Sequence, residues 1–189
     1  MSKIKQFRGE YYFLSNFSDY PVQLDGLTYL NGEAAFQAGK VTTHKERLTF
    51  VGIPPNIAKS KGRKVKLRSD WEDIKVDHMR QVIDAKFSDP KLAKLLDQTG
   101  DAELLEGNTW NDKFWGVDII TLQGKNQLGK ILMAKREQLR ANDSYWNHCF
   151  VCGEPSDGEA SQWHGRPLCA EENGNRCLRE LEVKNKLGR

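Results

Sequence analysis

All four cysteines of this 189-residue chain, Cys149, Cys152, Cys169 and Cys177, fall in its last quarter. That asymmetry divides the chain before any other pattern is read. The start, MSKIKQFRGEYYF, lacks the apolar stretch of a signal peptide, and no apolar run approaches a membrane span, so the expectation is a cytoplasmic protein. In such a compartment a disulfide framework is out of place and clustered thiols point to a metal. Cys149-Phe-Val-Cys152 is a zinc knuckle, and with Cys169 and Cys177 it completes a tetrahedral, closed site. The wide second spacing leaves His164 as an alternative to Cys177. A structural Zn2+ is therefore expected, stabilising the tail and taking no part in catalysis.

Charge divides at the same place. Residues 141–189 carry 6 Lys+Arg against 8 Asp+Glu, leaving 23 against 18 for residues 1–140. The boundaries expected are a basic body over 1–141 and a zinc-binding module over 142–189. A net charge of only +3 does not by itself demand a nucleic-acid or membrane partner.

Within the body, PVQLDGLTY alternates around Asp25-Gly26 and predicts a hairpin. Asn31 is an N-cap for a helix from about Gly32 toward Phe50, with Gly52 and Pro54-Pro55 ending it. KSKGRKVKLR is a basic run. Ser69 and Asp70 then open WEDIKVDHMRQVIDAKF, where Val76, Met79, Val82, Ile83 and Phe87 recur at helical spacing. A helix over Pro90 to Asp97, a loop rich in aromatics, a strand in VDIITL and a helix from Asn126 to Arg140 complete the reading. The fold class is α+β, predominantly helical with short strands.

Several chemistries have no foothold. Gly124-Lys-Asn-Gln-Leu-Gly129-Lys130 has nucleotide-loop spacing, but Ile131 stands where a magnesium-binding Ser or Thr belongs. Its glycines read as a turn opening the last helix. No His-x-Glu with Pro-Cys-x-x-Cys, no Gly-x-Ser-x-Gly and no dinucleotide fingerprint occurs.

Two constellations carry chemistry. Glu33, Gln37 and Lys40 share one helical face, with the helix N-terminus expected to keep Glu33 ionised. The plainer explanation is a first-turn acid and a solvated lysine. Glu106-Gly-Asn108-Thr-Trp110-Asn111-Asp112-Lys-Phe-Trp115-Gly116 joins carboxylates to tryptophans in a loop, suited to stacking a ring and handling charge beside it. Its plainer explanation is a loop pinned by buried tryptophans, with Asp112 capping a turn. Tyr12-Phe13-Leu14-Ser15-Asn16-Phe17 is a second polar-aromatic cluster, making a shared pocket more credible.

These segments resemble the NADAR family, which includes the YbiA-like proteins. The matching pieces are Phe13-Leu-Ser-Asn-Phe17, Gly32-Glu33-Ala-Ala-Phe36-Gln37-Ala-Gly-Lys40, Gly62-Arg63 and Leu67-Arg68-Ser-Asp-Trp71. Met79, Lys86-Phe87, Thr99-Gly100-Asp101, Glu106-Gly-Asn108, Trp110-Asn-Asp112, Phe114-Trp115-Gly116 and Gly124 through Met133 follow in order. The resemblance spans roughly residues 5–140 and leaves the cysteine tail outside. Ala35 departs from the family pattern, where His is frequent.

What the resemblance implies is a mainly helical domain that binds ADP-ribose or ribose-phosphate ligands and hydrolyses a C1–N glycosidic bond. ADP-ribosylated guanine is the leading substrate and a ribosylamino intermediate of riboflavin synthesis the alternative. A sensor that binds ADP-ribose or NAD without cleaving it is a rival of another class, and a zinc tail that recruits a partner protein a further reading. On this reading Glu33 stabilises the sugar cation or activates water, and Asp112 is the second carboxylate. Trp115 stacks the base beside Trp110. Asn16 and Asn126 orient hydroxyls or base edges, with Phe17, Gln37 and Glu106 completing the substrate site. Lys40 binds phosphate or captures the C1 aldehyde as an amine, and Arg63 and Arg68 bind phosphate. DNA or RNA carrying the modified base is the partner expected, and no membrane.

Overall fold

Asp25 and Gly26 both take positive φ, +52° and +74°, the conformation of a two-residue type I′ turn. They join the hairpin strands β2, Val22–Leu24, and β3, Leu27–Tyr29, which follow β1, Lys3–Ile4, in the chain. The antiparallel register pairs Val22 with Tyr29 and Leu24 with Leu27, so Val22, Leu27 and Tyr29 are buried while Gln23 and Thr28 face solvent. In this computed structural model, residues 2–141 are described, together with the backbone of 162–163 and 166–167.

The chain forms two compact units. The first comprises Met1–Asp89 and Thr99–Lys135. After the hairpin, Asn31 caps α1, Gly32–Ala38, its Oδ1 accepting from Ala34 N at 2.8 Å. Every residue of α1 is buried. The helix expected to run on toward Phe50 stops there. Thr43 makes a capping box with Glu46 and starts α2, His44–Leu48, afresh; this local cap competes successfully with helix continuation. Pro54-Pro55 likewise does more than end a helix. Pro55 occupies the first turn of α3, Pro55–Gly62, where its missing N–H costs nothing, so the first half of the basic run is helical.

Asp70 stands at the N-cap of α4, Trp71–Lys86, without capping it. Its carboxylate instead pairs with Arg68, at 2.6 Å from Nε. Met79, Val82, Ile83 and Phe87 are buried as the spacing predicts, with Val76 half-buried, and Trp71, His78 and Lys86 join them. α1 packs against α3 and α4, and β2 against α4. Leu14, Phe50, Val82, Ile83, Phe87, Leu104 and Leu132 are fully enclosed, each contributing on the order of 2 kcal/mol by removal from water.

Residues 103–118 contain three two-residue strands: β4, Glu103–Leu104, parallel to β1; and β5, Gly107–Asn108, parallel to β6, Val117–Asp118. The strand expected through VDIITL ends at Asp118, because Asp118 Oδ1 accepts from Ile120 N and Thr121 N and turns the chain. Ile120 is consequently 87% exposed. Gly124, at a φ of +155°, lies in the turn before the last helix, α6, Gln127–Ala141, whereas Gly129 is within the helix, where a Cβ would meet Leu104 O at 2.1 Å; Leu128, Ile131 and Leu132 lie on its buried face.

The second unit comprises Pro90–Gln98 and Arg136–Arg189. Its helix α5, Pro90–Asp97, buries Leu92, Ala93 and Leu96, and Arg140 Nε donates to the buried Asp97 carboxylate at 2.8 Å. Two short strands, β7 (Gln162–Trp163) and β8 (Arg166–Pro167), pair antiparallel. The expected zinc ligands Cys149, Cys152, Cys169 and Cys177, and the alternative His164, lie outside the described residues, as does most of the expected 142–189 module. No helix among the described residues is long and apolar enough to cross a membrane.

Candidate active site

A cavity of about 830 Å³ opens in the first unit, within the range that holds a nucleotide-sized ligand. It gathers Asn16, Phe17, Glu33, Gln37, Lys40, Arg63, Glu106, Trp110, Asp112 and Trp115, residues spread over a hundred positions of sequence. Arg68 and Asn126 are not among its lining residues. Arg68 is bound to Asp70, its Nε and Nη2 each engaged with one carboxylate oxygen. Asn126 is structural: its Oδ1 accepts from Glu106 N at 3.1 Å and its Nδ2 donates to Leu104 O at 2.8 Å. Its φ of +51° suits asparagine in a left-handed turn.

Asn16 follows a 3-10 helix, Gly9–Leu14, and its carbonyl accepts from Glu33 N at 2.8 Å, tying that segment to the start of α1. The Asn16 side chain donates to Met79 Sδ at 3.2 Å, leaving Oδ1 without a partner among the described residues. One turn into α1, Gln37 Nε2 donates to Glu33 Oε1 at 2.8 Å, leaving Gln37 Oε1 in the same state. Glu106 Oε2 is the third such acceptor. Asn16 and Gln37 are only 6% and 5% exposed, so these atoms have lost water without a protein donor in return. Such vacancies are costly and are what a ligand rich in O–H and N–H groups would fill.

The loop after β5 is organised by Asn108. Its Nδ2 donates to Asp112 O at 2.9 Å and Val117 O at 3.2 Å, and its Oδ1 accepts from Asp112 N at 3.0 Å. Asp112 Oδ1 in turn accepts from Phe114 N at 3.2 Å and Trp115 N at 2.9 Å. Asp112 thus caps a turn and lines the cavity at once. Trp115 meets the Phe36 ring edge-on at 5.2 Å, and Phe36 lies 5.3 Å from Trp71. Trp110, at the loop tip, is 55% exposed.

Four lining cations accompany these acceptors. Lys40 Nζ donates to Gly62 O at 3.2 Å and sits 5.8 Å from the Trp71 ring. Lys59 lies 5.3 Å from the Phe17 ring and 5.8 Å from that of Trp110, bridging two aromatic walls. Arg8 and Arg63 complete the set. The sequence assigned no site role to Arg8, to Lys59 within the basic run or to Lys86 within the family-matching Lys86-Phe87 pair. The proline signal for α3 would have placed Lys59 one turn before Arg63. Lys86 is enclosed in α4 and donates to Ser15 O at 2.7 Å and Ser18 Oγ at 2.8 Å, fixing the turn that carries Asn16 and Phe17.

Burial sets the electrostatics. The Glu33 carboxyl is pushed above the usual range by desolvation, opposed by the Gln37 donor and then by Lys59 and Lys40. The helix N-terminus therefore does not set the direction of the Glu33 shift as expected: loss of water outweighs the pull of a seven-residue helix and of the Gln37 donor. Lys40 is lowered, first by burial, with Glu33 acting the other way. Glu106 is raised to about 7 by burial, then by Asp112, and Lys86 is lowered to about 7 by burial, with Glu106 opposing.

This constellation of carboxylates, stacking rings and cations can bind a phosphorylated sugar joined to a heterocycle and stabilise positive charge at the sugar. Known proteins resemble the chain over this same body. The profile of the NADAR domain matches residues 4–140. The chain is 40% identical over 134 residues to the N-glycosidase YbiA of Escherichia coli, covering 69% of this chain and 82% of that protein. It is 34% identical to an N-glycosidase of Nostoc punctiforme over 133 residues, 67% of this chain and 84% of that one. A riboflavin biosynthesis protein of Vibrio vulnificus is 34% identical over 70% of this chain and 37% of its own length. The NMR structure of Escherichia coli YbiA superposes with a TM-score of 0.64 at 38% identity, covering 74% of this chain and 87% of that one.

Proposed function

The chain belongs to the NADAR family, and from that membership we propose that it removes ADP-ribose from ADP-ribosylated guanine in nucleic acid. It is a hydrolase acting on N-glycosyl compounds, the class its relatives' names share. The observation that carries the narrower reading is the gathering of three carboxylates, three partnerless acceptors and four cations around one cavity of about 830 Å³. A bare nucleobase would leave the cations without a partner. A ribosyl pyrophosphate supplies hydroxyl donors for the acceptors and anionic oxygens for Lys40, Lys59, Arg63 and Arg8.

In this reading the C1–N bond loosens toward an oxocarbenium-like cation, which Glu33 stabilises while directing water to C1. Asp112 is the second carboxylate beside the sugar. Trp115 stacks the leaving heterocycle and Trp110 flanks it. The lowered Lys40 amine faces phosphate, or attacks an opened C1 aldehyde. A substrate embedded in DNA or RNA suits the basic body, and the four C-terminal cysteines hold a structural zinc ion that the hydrolysis does not require. The protein works in the cytoplasm, with no membrane partner.

A second reading rests on the Vibrio vulnificus relative's name: hydrolysis of a phosphorylated ribosylamino intermediate of riboflavin synthesis. The test is product analysis by mass spectrometry, with wild type and Glu33→Gln incubated with an oligonucleotide carrying ADP-ribosylated guanine and separately with the ribosylamine. Release of ADP-ribose from the oligonucleotide, reduced about 10²- to 10⁴-fold in Glu33→Gln, is the expected result. Cleavage of the ribosylamine alone would transfer the assignment to the second reading. Binding without cleavage of either would leave a sensor, and full turnover by Glu33→Gln would overturn the mechanism.

A further inference from the structure

We propose that Glu106 is the proton donor to the departing nitrogen, a catalytic role beyond substrate binding that rests on the N-glycosidase reading above. Three carboxylates line the cavity, and the protein treats them differently. Glu33 Oε1 accepts a hydrogen bond from Gln37, and Asp112 Oδ1 accepts from two backbone N–H groups. The Gln37 donor favours the Glu33 anion. Glu106 Oε2 is buried with no partner among the described residues, the environment of a carboxyl that keeps its proton.

Its placement is rigid. Glu106 N donates to Asn126 Oδ1, and Glu106 O accepts from Val117 N at 2.9 Å. A Cβ on Gly116 would lie 2.1 Å from that same carbonyl oxygen, so the backbone passes as closely as glycine allows. The surrounding charges are named readily. Asp112 and Glu33 disfavour a further anion, Lys59 and Arg8 favour it, and Lys86 is itself held up by Glu106. Burial and the two carboxylates prevail, which matches a general acid working near neutral pH.

The step balances. The C1–N bond breaks with its electron pair going to nitrogen, which takes the proton from Glu106. The oxygen of one water adds to C1, and the proton it sheds goes to the Glu33 carboxylate. Glu33 then releases that proton to solvent and Glu106 regains one, so one water is consumed and both carboxyl groups return to their starting states.

The experiment uses the full chain as wild type, Glu106→Gln and Glu106→Asp, with thermal melting to establish that each variant folds. Turnover of the substrate that wild type cleaves is followed against pH, and the carboxyl signal of Glu106 is titrated by ¹³C NMR, identified by its absence from Glu106→Gln. Wild-type kcat should fall on the alkaline side with a midpoint near 7. Glu106→Gln should lose about 10²- to 10⁴-fold in kcat with little change in KM, together with that alkaline limb. Glu106→Asp should recover part of the rate and the limb with it. A Glu106 signal titrating in the ordinary carboxylate range, or an alkaline limb surviving in Glu106→Gln, overturns the role while leaving the N-glycosidase reading standing. Failure of wild type to cleave any N-glycoside would instead sink both.

Discussion

Gln37 Nε2 donates to Glu33 Oε1 at 2.8 Å from one helical turn away, while the carbonyl oxygen of the same amide has no partner among the described residues. One side chain thus steadies the anion of a buried carboxylate while its own oxygen is packed against Gly62.

Gln37→Met should remove that hydrogen bond. Loss of the donor raises the Glu33 carboxyl further, so the acidic limb of kcat/KM moves to higher pH. A pH–rate profile checks this, and an unmoved limb would deny that Gln37 acts on Glu33. Gly62→Ala should disturb the same amide from the opposite side, because a Cβ there would fall 1.8 Å from Gln37 Oε1. A KM increase with a stability loss of about 1–3 kcal/mol is expected by thermal melting and steady-state kinetics.

Asn126→Ala is predicted to lower stability rather than ligand affinity alone. It strips partners from Glu106 N and Leu104 O and places alanine at a φ of +51°. A loss of about 2–4 kcal/mol in denaturant unfolding is expected from one or two buried groups left unpaired plus backbone strain. A neutral effect on unfolding would return Asn126 to consideration as a substrate ligand.

Stability should pass through a minimum near pH 7. Glu106 is raised from 4.5 to about 7, so the folded state binds more protons in that interval and stability falls as pH rises through it. Lys86 is lowered from 10.5 to about 7, so the unfolded state binds more protons above pH 7 and stability climbs again toward pH 10.5. Urea unfolding across this range checks the sign. Glu106→Gln should remove the descending limb and Lys86→Met the ascending one.

Metal analysis of protein purified without chelator should find about one zinc per chain, the stoichiometry of a four-thiolate site. Cys149→Ser with Cys152→Ser should abolish it. A zinc-free wild type would remove the metal assignment for the C-terminal quarter.

Local signals were readable wherever a short stretch decides its own conformation. Asp25-Gly26 declared its hairpin, Asn31 its cap, and Pro90 to Asp97 its helix, because turn and cap preferences depend on neighbours only a few residues away. Misreadings arose where two local signals compete. Thr43 and Glu46 interrupt an apolar-rich segment that otherwise continues as helix, and Pro54-Pro55 can end one helix or begin another. In VDIITL, β-branched residues promised a strand, yet one Asp118 carboxylate oxygen turns the chain.

The site divides in the same way. The residue types needed for N-glycoside chemistry, and the family resemblance they carry, were legible in Glu33, Gln37, Glu106, Asp112 and Trp115. Their protonation was not, because a pKa depends on how much water the fold removes and which charges it brings near. Helix position alone suggested an ionised Glu33; burial raises it. Arg68 and Asn126 carried suitable groups, but Arg68 is engaged by its near neighbour Asp70, and tertiary contacts engage Asn126 with the backbone at Leu104 and Glu106. Sequence by itself determined which chemical groups this protein possesses and most of the turns between them. Only the tertiary structure decided which of those groups share a cavity and which acceptors stand without partners, since both follow from long-range packing that excludes water.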